Sequence, residues 1–200
     1  MKKFVALAAA AGLAAVALVP ATASADGPAP APASGQKVLG GTGVLVNHDV
    51  TNALLRANVT VTAKDPGGST IIDPGKIALE FPISAQKNGK LEHYGDLFLS
   101  HTGAMGWRTV VVSNLTIDPA KGTLKGRVYA TDTDLGKATI FTLKEQKSGS
   151  YTVKLAPGIA GTLNSALGTH VFSEGMRIGS ATVTVLPLLG CTREGSSRRC

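Results

Sequence analysis

The chain contains little cysteine, few aromatic residues and none of the common catalytic motifs. Cys occupies only positions 191 and 200 of the 200 residues, and aromatic side chains make up 4% of the sequence. No G-x-S-x-G elbow, H-E-x-x-H helix, phosphate-binding loop or dinucleotide glycine fingerprint occurs in it. Two Cys without further Cys or His beside them do not form a usual zinc site. We therefore expect a protein that is not an enzyme and has no metal centre.

Two classes of partner are also disfavoured. No segment combines clustered Lys and Arg with the aromatic residues that stack on bases, so we expect no nucleic-acid partner. After residue 19, no apolar run approaches the roughly 20 residues that a transmembrane helix needs. The mature protein should therefore have no transmembrane segment.

The first 25 residues have the three parts of an export signal. Lys2 and Lys3 form a positive start, residues 4–19 form an apolar run, and residues 23–25 read Ala-Ser-Ala, a typical signal-peptidase site. We predict that residues 1–25 are a signal peptide cleaved after Ala25, and that the protein is secreted and extracellular.

Composition divides the remaining chain into three parts. Residues 26–36 form a Pro/Ala-rich linker, residues 37–187 form a β-rich domain, and residues 188–200 form a flexible basic tail. The mature chain keeps 18 of the 20 Lys and Arg and all 13 Asp and Glu, which gives a charge of about +5. Such an excess favours an anionic partner such as a cell-wall polymer, although solubility alone also explains it.

The two cysteines suggest a disulfide, because exported proteins meet oxidising conditions. Cys191 and Cys200 are nine positions apart, and the Gly and Ser residues between them allow a short loop to close. Pairing with another molecule through a free thiol is the alternative.

An alternation of apolar and polar residues dominates residues 37–187. Because successive side chains of a strand point to opposite faces, this period of two predicts half-buried strands rather than helices. The strand-like segments are 58–62, 76–83, 97–101, 107–117, 122–130, 138–144, 151–155 and 181–185.

The residues between these segments favour tight turns and leave room for little helix. Asp-Pro-Gly at 65–67 and 73–75 is a typical turn sequence. Residues 157–167 predict a helix, because Pro157 lies near its start and Gly168 follows its end. Residues 50–57 fit either a short helix or a strand. The predicted fold is all-β, an antiparallel β-sandwich or barrel-like domain with one short helix near 157–167.

Two histidines are the main candidates for binding a ligand. His93 and His101 are eight residues apart, so a straight strand would present both on one face, although Gly95 can bend it. Imidazole and the phenol of the neighbouring Tyr94 are both axial ligands of haem iron in other proteins. The alternative is that these histidines are hydrogen-bonded parts of the structure.

Met105 and Trp107 follow His101 closely in the sequence. Either side chain could pack against a flat hydrophobic ligand held at His101. The alternative for both is packing at a strand edge against the core.

Several segments occur in a distinctive order along the domain. They are F-P-I at 81–83, G-D-L-F-L-S-H-T-G-A-M-G-W at 95–107, V-V-V-S-N-L-T-I-D at 110–118 and F-S-E-G-M-R-I-G-S-A-T-V-T-V at 172–185. This order resembles the HtaA-like domain of actinobacterial exported proteins and a set of related uncharacterised secreted β-rich proteins. The resemblance covers about residues 37–185.

The resemblance implies a haem site. In the haem-binding members of that family, a Tyr near the start of the domain coordinates iron, and a His in an H-x-G segment supports it. The second position corresponds to His101, whereas residues 37–75 contain no Tyr. The tyrosine ligand of the family thus has no counterpart in this chain.

The sequence as a whole predicts a secreted, non-enzymatic binding or structural protein of the cell envelope or the extracellular medium, without a cofactor. The alternative is a protein that binds and takes up haem, or another flat hydrophobic ligand, through His101.

Overall fold

The computed structural model describes residues 38–73, 75–103, 106–131 and 133–186, together with the pairs 193–194 and 197–198. The predicted signal peptide, its cleavage site, the linker, Met105, Cys191 and Cys200 lie outside the described residues, so the predictions made for them stay predictions. The strands, in chain order, are β1 (Gly40–Val46), β2 (Val59–Lys64), β3 (Gly68–Asp73), β4 (Lys76–Lys87), β5 (Lys90–His93), β6 (Asp96–Gly103), β7 (Gly106–Asp118), β8 (Thr123–Ala130), β9 (Thr133–Lys147), β10 (Ser150–Leu155), β11 (Arg177–Val185), β12 (Arg193–Glu194) and β13 (Ser197–Arg198).

Eight strands close into an antiparallel barrel. Neighbours around it follow the order β7–β5–β4–β1–β11–β10–β9–β8, and β8 pairs with β7 to complete the ring. The C-terminal part of β7 pairs with β5, and its N-terminal part pairs with β6. The other edge of β6 pairs with β2. The short strand β3 pairs with β4. The prediction of an all-β antiparallel fold is therefore confirmed.

The alternation seen in the sequence is the alternation between the inside and the outside of this barrel. On β8, for example, residues 124, 126 and 128 are buried and residues 125 and 127 are exposed. The interior is filled by aliphatic side chains that are almost fully buried, including Ile83, Val110, Val112, Ile117, Ile140 and Leu155. Burying such side chains is the dominant favourable contribution to the stability of the fold.

Two short helices accompany the barrel. The predicted helix is α2 (Ile159–Leu167), and it ends at Gly168, whose φ of 70° is a left-handed conformation that favours glycine. The second helix is α1 (His48–Arg56), in the stretch that the sequence left between helix and strand. It buries Val50, Thr51 and Leu54 along one face. Neither helix is long and apolar enough to cross a membrane.

The C-terminal end of α2 lies against the hairpin formed by β6 and β7. A hydrogen bond from His101 on β6 to Leu167 and another from Arg108 on β7 to Ser165 join the two elements. The end of α1 reaches the same hairpin, because Thr102 N–H donates to the carbonyl of Asn58 at 3.4 Å. One end of the barrel is thus surrounded by α1, α2 and the β6–β7 hairpin.

Candidate functional site

His101 lies at this end of the barrel and belongs to its inner face. It follows the buried Leu97 and Leu99 at intervals of two residues along β6, and it is itself only partly buried. Across the hairpin it pairs with Arg108. Its imidazole therefore sits where the apolar interior meets the rim.

A backbone carbonyl fixes the tautomer of this imidazole. Nδ1 of His101 lies 2.7 Å from the carbonyl oxygen of Leu167. Because a carbonyl oxygen can only accept, Nδ1 must carry the proton and donate it. In the neutral ring, Nε2 then keeps its lone pair, and no described residue hydrogen-bonds to it. This is the arrangement in which histidine acts as a metal ligand, with the other ring nitrogen held by a backbone carbonyl.

Gly103 provides the space for the ring. A Cβ at this position would lie 2.5 Å from Cε1, 3.2 Å from Nε2 and 3.3 Å from Nδ1 of His101. Residues two apart on a strand share a face, so any side chain at 103 would meet the imidazole. The H-x-G spacing in the sequence thus has a direct steric meaning, which sequence reasoning did not assign.

Arg108 is a second residue that sequence reasoning missed. Its Nη1 donates to the carbonyl of Ser165 at 3.4 Å, and its guanidinium lies beside Gly168. The last carbonyls of a helix have no partner within the helix, and basic side chains commonly satisfy them. His101 and Arg108 together hold the C-terminal turn of α2 on the hairpin.

His93 is part of the core rather than of this site. It is buried, its Nε2 lies 2.8 Å from Oγ1 of Thr42, and its Nδ1 lies 3.4 Å from the carbonyl of Leu115. The carbonyl makes Nδ1 the donor, so Nε2 accepts the hydrogen bond of the Thr42 hydroxyl. Burial lowers the pKa of His93 from its ordinary value of 6.5. Both ring nitrogens are occupied, so this histidine has none left for a ligand.

Tyr94 and Trp107, the other predicted residues that the structure describes, do not lie beside His101. Tyr94 precedes β6, whose residues from Asp96 to His101 span about 17 Å, so Tyr94 lies towards the opposite end of that strand. Trp107 pairs with Thr102 and is 72% exposed. Strand alternation places it on the face opposite to that of His101.

The barrel interior holds a small apolar cavity of about 60 Å³. Among the described residues that line it, Thr42, which hydrogen-bonds to His93, bears the one hydroxyl group, and the others are hydrophobic, including Leu99, Val112 and Leu163. Pockets for drug-sized ligands measure about 300–1,000 Å³. A large flat ligand therefore does not fit inside, and a ligand of His101 would lie at the rim.

The described residues contain no group of three or more His, Cys, Asp and Glu placed to hold a metal ion. The donor that the described residues place at the rim is the imidazole of His101. It could supply one axial ligand to a metal that brings its other ligands with it, as the iron of haem does.

Fold and site together define a small antiparallel β-barrel that presents one histidine, with a fixed tautomer, at a helix-flanked end. Two solved structures, both from Corynebacterium glutamicum, are similar to the chain. The haem-binding protein HtaB has 16% identity and a TM-score of 0.47, over 72% of this chain and 90% of that one. The C-terminal domain of HtaA has 16% identity and a TM-score of 0.45, over 74% of this chain and 99% of that one. These are proteins of the kind that the sequence pattern resembles. No family model and no curated protein matches the chain.

Proposed function

We propose that the protein is a non-enzymatic binding protein that holds haem at the helix-flanked end of the barrel, with His101 as an axial ligand. The observation that carries the proposal is the 2.7 Å hydrogen bond from Nδ1 of His101 to Leu167, which leaves Nε2 as the free nitrogen. The similar protein HtaB is a haem-binding protein, which makes haem the first ligand to test. The position and the hydrogen bond of His101 are what support haem binding in this chain.

The local arrangement supports a ligand role for His101 beyond that of a helix cap. A cap needs only one ring nitrogen, and Nδ1 fulfils that need. Gly103 leaves the space that the ring occupies, because a Cβ there would lie 2.5 Å from its Cε1. A ligand imidazole gains from the fixation that the Nδ1 hydrogen bond provides, since little rotational freedom is lost when the metal binds.

The dimensions of the interior favour a ligand site at the rim. The cavity of about 60 Å³ is too small for a porphyrin, so His101 would hold the iron through Nε2 at the rim. Bound haem would supply the iron, and this chain would supply the imidazole and its orientation. Secretion remains part of the proposal, because a ligand of this kind would be collected outside the cell.

A haemin titration of the purified protein tests the proposal. We expect a saturable shift of the Soret band in the wild-type protein, and at least a tenfold weaker affinity in His101→Ala, because an axial ligand is lost. Gly103→Ala should also weaken binding, since it displaces the ring without removing it.

The matched control is His48→Ala. His48 is an exposed histidine on α1 that hydrogen-bonds to Asn52, and it lies at the end of that helix away from Asn58. Its removal should leave the titration unchanged. The proposal is wrong if wild-type protein gives no saturable shift, or if His48→Ala and His101→Ala weaken binding equally.

A further inference from the structure

Positive charge is concentrated on four adjacent strands. The strands β8–β11 carry seven Lys and Arg against two Asp and Glu, whereas β1–β7 carry five of each. Two of the lysines in β1–β7 form ion pairs, Lys87 with Glu92 at 3.8 Å and Lys90 with Asp118 at 3.9 Å. The excess charge of the barrel therefore lies on one half.

Six exposed cations occupy the outer surface of β8–β11. Five of them lie next to a buried residue in a strand, and Lys137 pairs with one of these five, Arg127, so alternation directs all six side chains away from the core. We call this surface the basic face, and its cations are Lys125, Arg127, Lys137, Lys144, Lys154 and Arg177.

Two pairs of these cations lie directly opposite each other on neighbouring strands. Arg127 pairs with Lys137, and Lys154 pairs with Arg177. Like charges in this position destabilise a sheet, although Asp134 offsets part of the repulsion in the first pair by binding Arg127. Such a cost is expected where the charges serve a partner that neutralises them.

Among the described residues, carboxylates offset the charge of one of these cations and leave the others unpaired or only distantly opposed. Asp134 is bound to Arg127, with Oδ2 at 3.0 Å from Nε, and Glu174 accepts a hydrogen bond from Gly158 N–H at 2.7 Å. Glu145 lies opposite Tyr151 towards the end of β9. Within the described ranges, Lys154 and Arg177 form no ion pair.

The dimensions of the basic face indicate the size of its partner. From β8 to β11 are three strand spacings, about 14 Å, and cations two residues apart on one strand, such as Lys125 and Arg127, are about 6.8 Å apart. One small anion cannot touch charges spread this widely. An extended chain of anionic groups can.

The residues between the cations favour a polymer over a membrane. Thr142 lies between Thr123 and Lys154 across the sheet, and Thr152 lies between Lys144 and Ser180, so hydroxyl groups separate the charges. Membrane-surface elements bury an apolar face as well. We infer that the basic face binds a linear polyanion. This inference is independent of the haem proposal, since the two sites share no residue.

Binding of inorganic polyphosphate to the purified full-length protein tests the inference. We expect binding whose affinity falls steeply with salt, by roughly 100-fold between 50 and 200 mM for about four phosphate contacts. The double variant Lys154→Gln/Arg177→Gln should bind at least fivefold more weakly and should show a smaller salt slope, by roughly one to two units. Its thermal stability should be unchanged or higher, because the opposed charges are gone.

The control variant Lys87→Gln/Lys90→Gln removes the same two charges from the other half of the barrel. It should change polyphosphate affinity by less than twofold. The inference is overturned if wild-type protein does not bind polyphosphate, or if both double variants lose affinity equally, which would show an effect of net charge alone. Tighter binding to vesicles of anionic phospholipid than to polyphosphate would overturn it in favour of a membrane.

Discussion

Replacing Gly103 with Ala should damage the protein through the ring of His101. The added methyl group would lie 2.5 Å from Cε1 of that ring, closer than side-chain atoms approach each other in folded proteins. The ring must therefore turn, and turning it separates Nδ1 from the carbonyl of Leu167, now 2.7 Å away. Gly103→Ala thus tests whether that hydrogen bond holds the end of α2.

The expected loss of unfolding free energy is about 2 kcal/mol. A carbonyl left without its donor in a buried setting costs about 1–3 kcal/mol, and a ring forced away from its preferred rotamer costs about 0.5–1.5 kcal/mol. Leu167 is fully buried, so water does not readily replace the lost donor. The two costs overlap, because a ring that turns far enough to lose its bond relieves its own strain.

Urea unfolding followed by circular dichroism measures this loss. The matched control is Gly43→Ala on β1, where an added Cβ meets no atom within 4 Å, and its stability should be equal to wild type or slightly higher. In a His101→Ala background the ring is absent, so Gly103→Ala should reduce the free energy of unfolding much less than it does in the wild-type background. The reasoning would be refuted if Gly103→Ala lowered the free energy of unfolding equally in the two backgrounds, or by less than about 0.5 kcal/mol in the wild-type background.

Two further predictions concern the core and α2. Burial lowers the pKa of His93, so its imidazole binds a proton more readily in the unfolded chain than in the folded chain. The free energy of unfolding should therefore have its full value above about pH 6.5 and should decrease as the pH falls below 6.5. Urea unfolding between pH 7.5 and 5 measures this, and a wild-type stability that rises over that interval would contradict it. Gly161 lies inside α2, and an added Cβ there meets nothing within 4 Å, so Gly161→Ala should raise stability by about 0.5–1 kcal/mol in the same assay. A lower midpoint for this variant would show that α2 is constrained in a way that its open surface does not reveal.

The strands that the sequence predicted are those with alternating side chains on a half-buried surface. β1 was missed because its sequence, GGTGVLV, has glycine at three of seven positions and little alternation. It nevertheless lies between β4 and β11 and completes the barrel. Its pairing depends on strands 33 or more residues away, which no local pattern reveals.

The helix α1 shows the same limit. Residues 50–57 contain the apolar spacing of a helix and also residues common in strands, so the sequence left both possibilities open. The structure favours the helix because Val50 and Leu54, one helical turn apart, both reach the barrel interior. The conformation of this segment is therefore determined by tertiary packing, because its intrinsic propensity is compatible with both a helix and a strand.

The shared face predicted for His93 and His101 required one straight strand, and the path between them is not one straight strand. β5 ends at His93 and β6 begins at Asp96, with Gly95 at a φ of 85° between them. The partners that give the two histidines different roles are distant from them in the sequence. His93 finds Thr42, 51 residues away, and His101 finds Leu167, 66 residues away. The sequence could therefore nominate both residues, and only the fold shows which one keeps a free nitrogen.

The measurement that tests the central claim most directly is a long-range proton–nitrogen correlation spectrum of the histidine side chains. We predict that the neutral imidazole of His101 carries its proton on Nδ1 and that its Nε2 is unprotonated. Adding diamagnetic gallium protoporphyrin should then shift Nε2 of His101 and leave Nε2 of His48 unchanged. A proton on Nε2 of His101, or no response of that nitrogen to the porphyrin, would contradict the account.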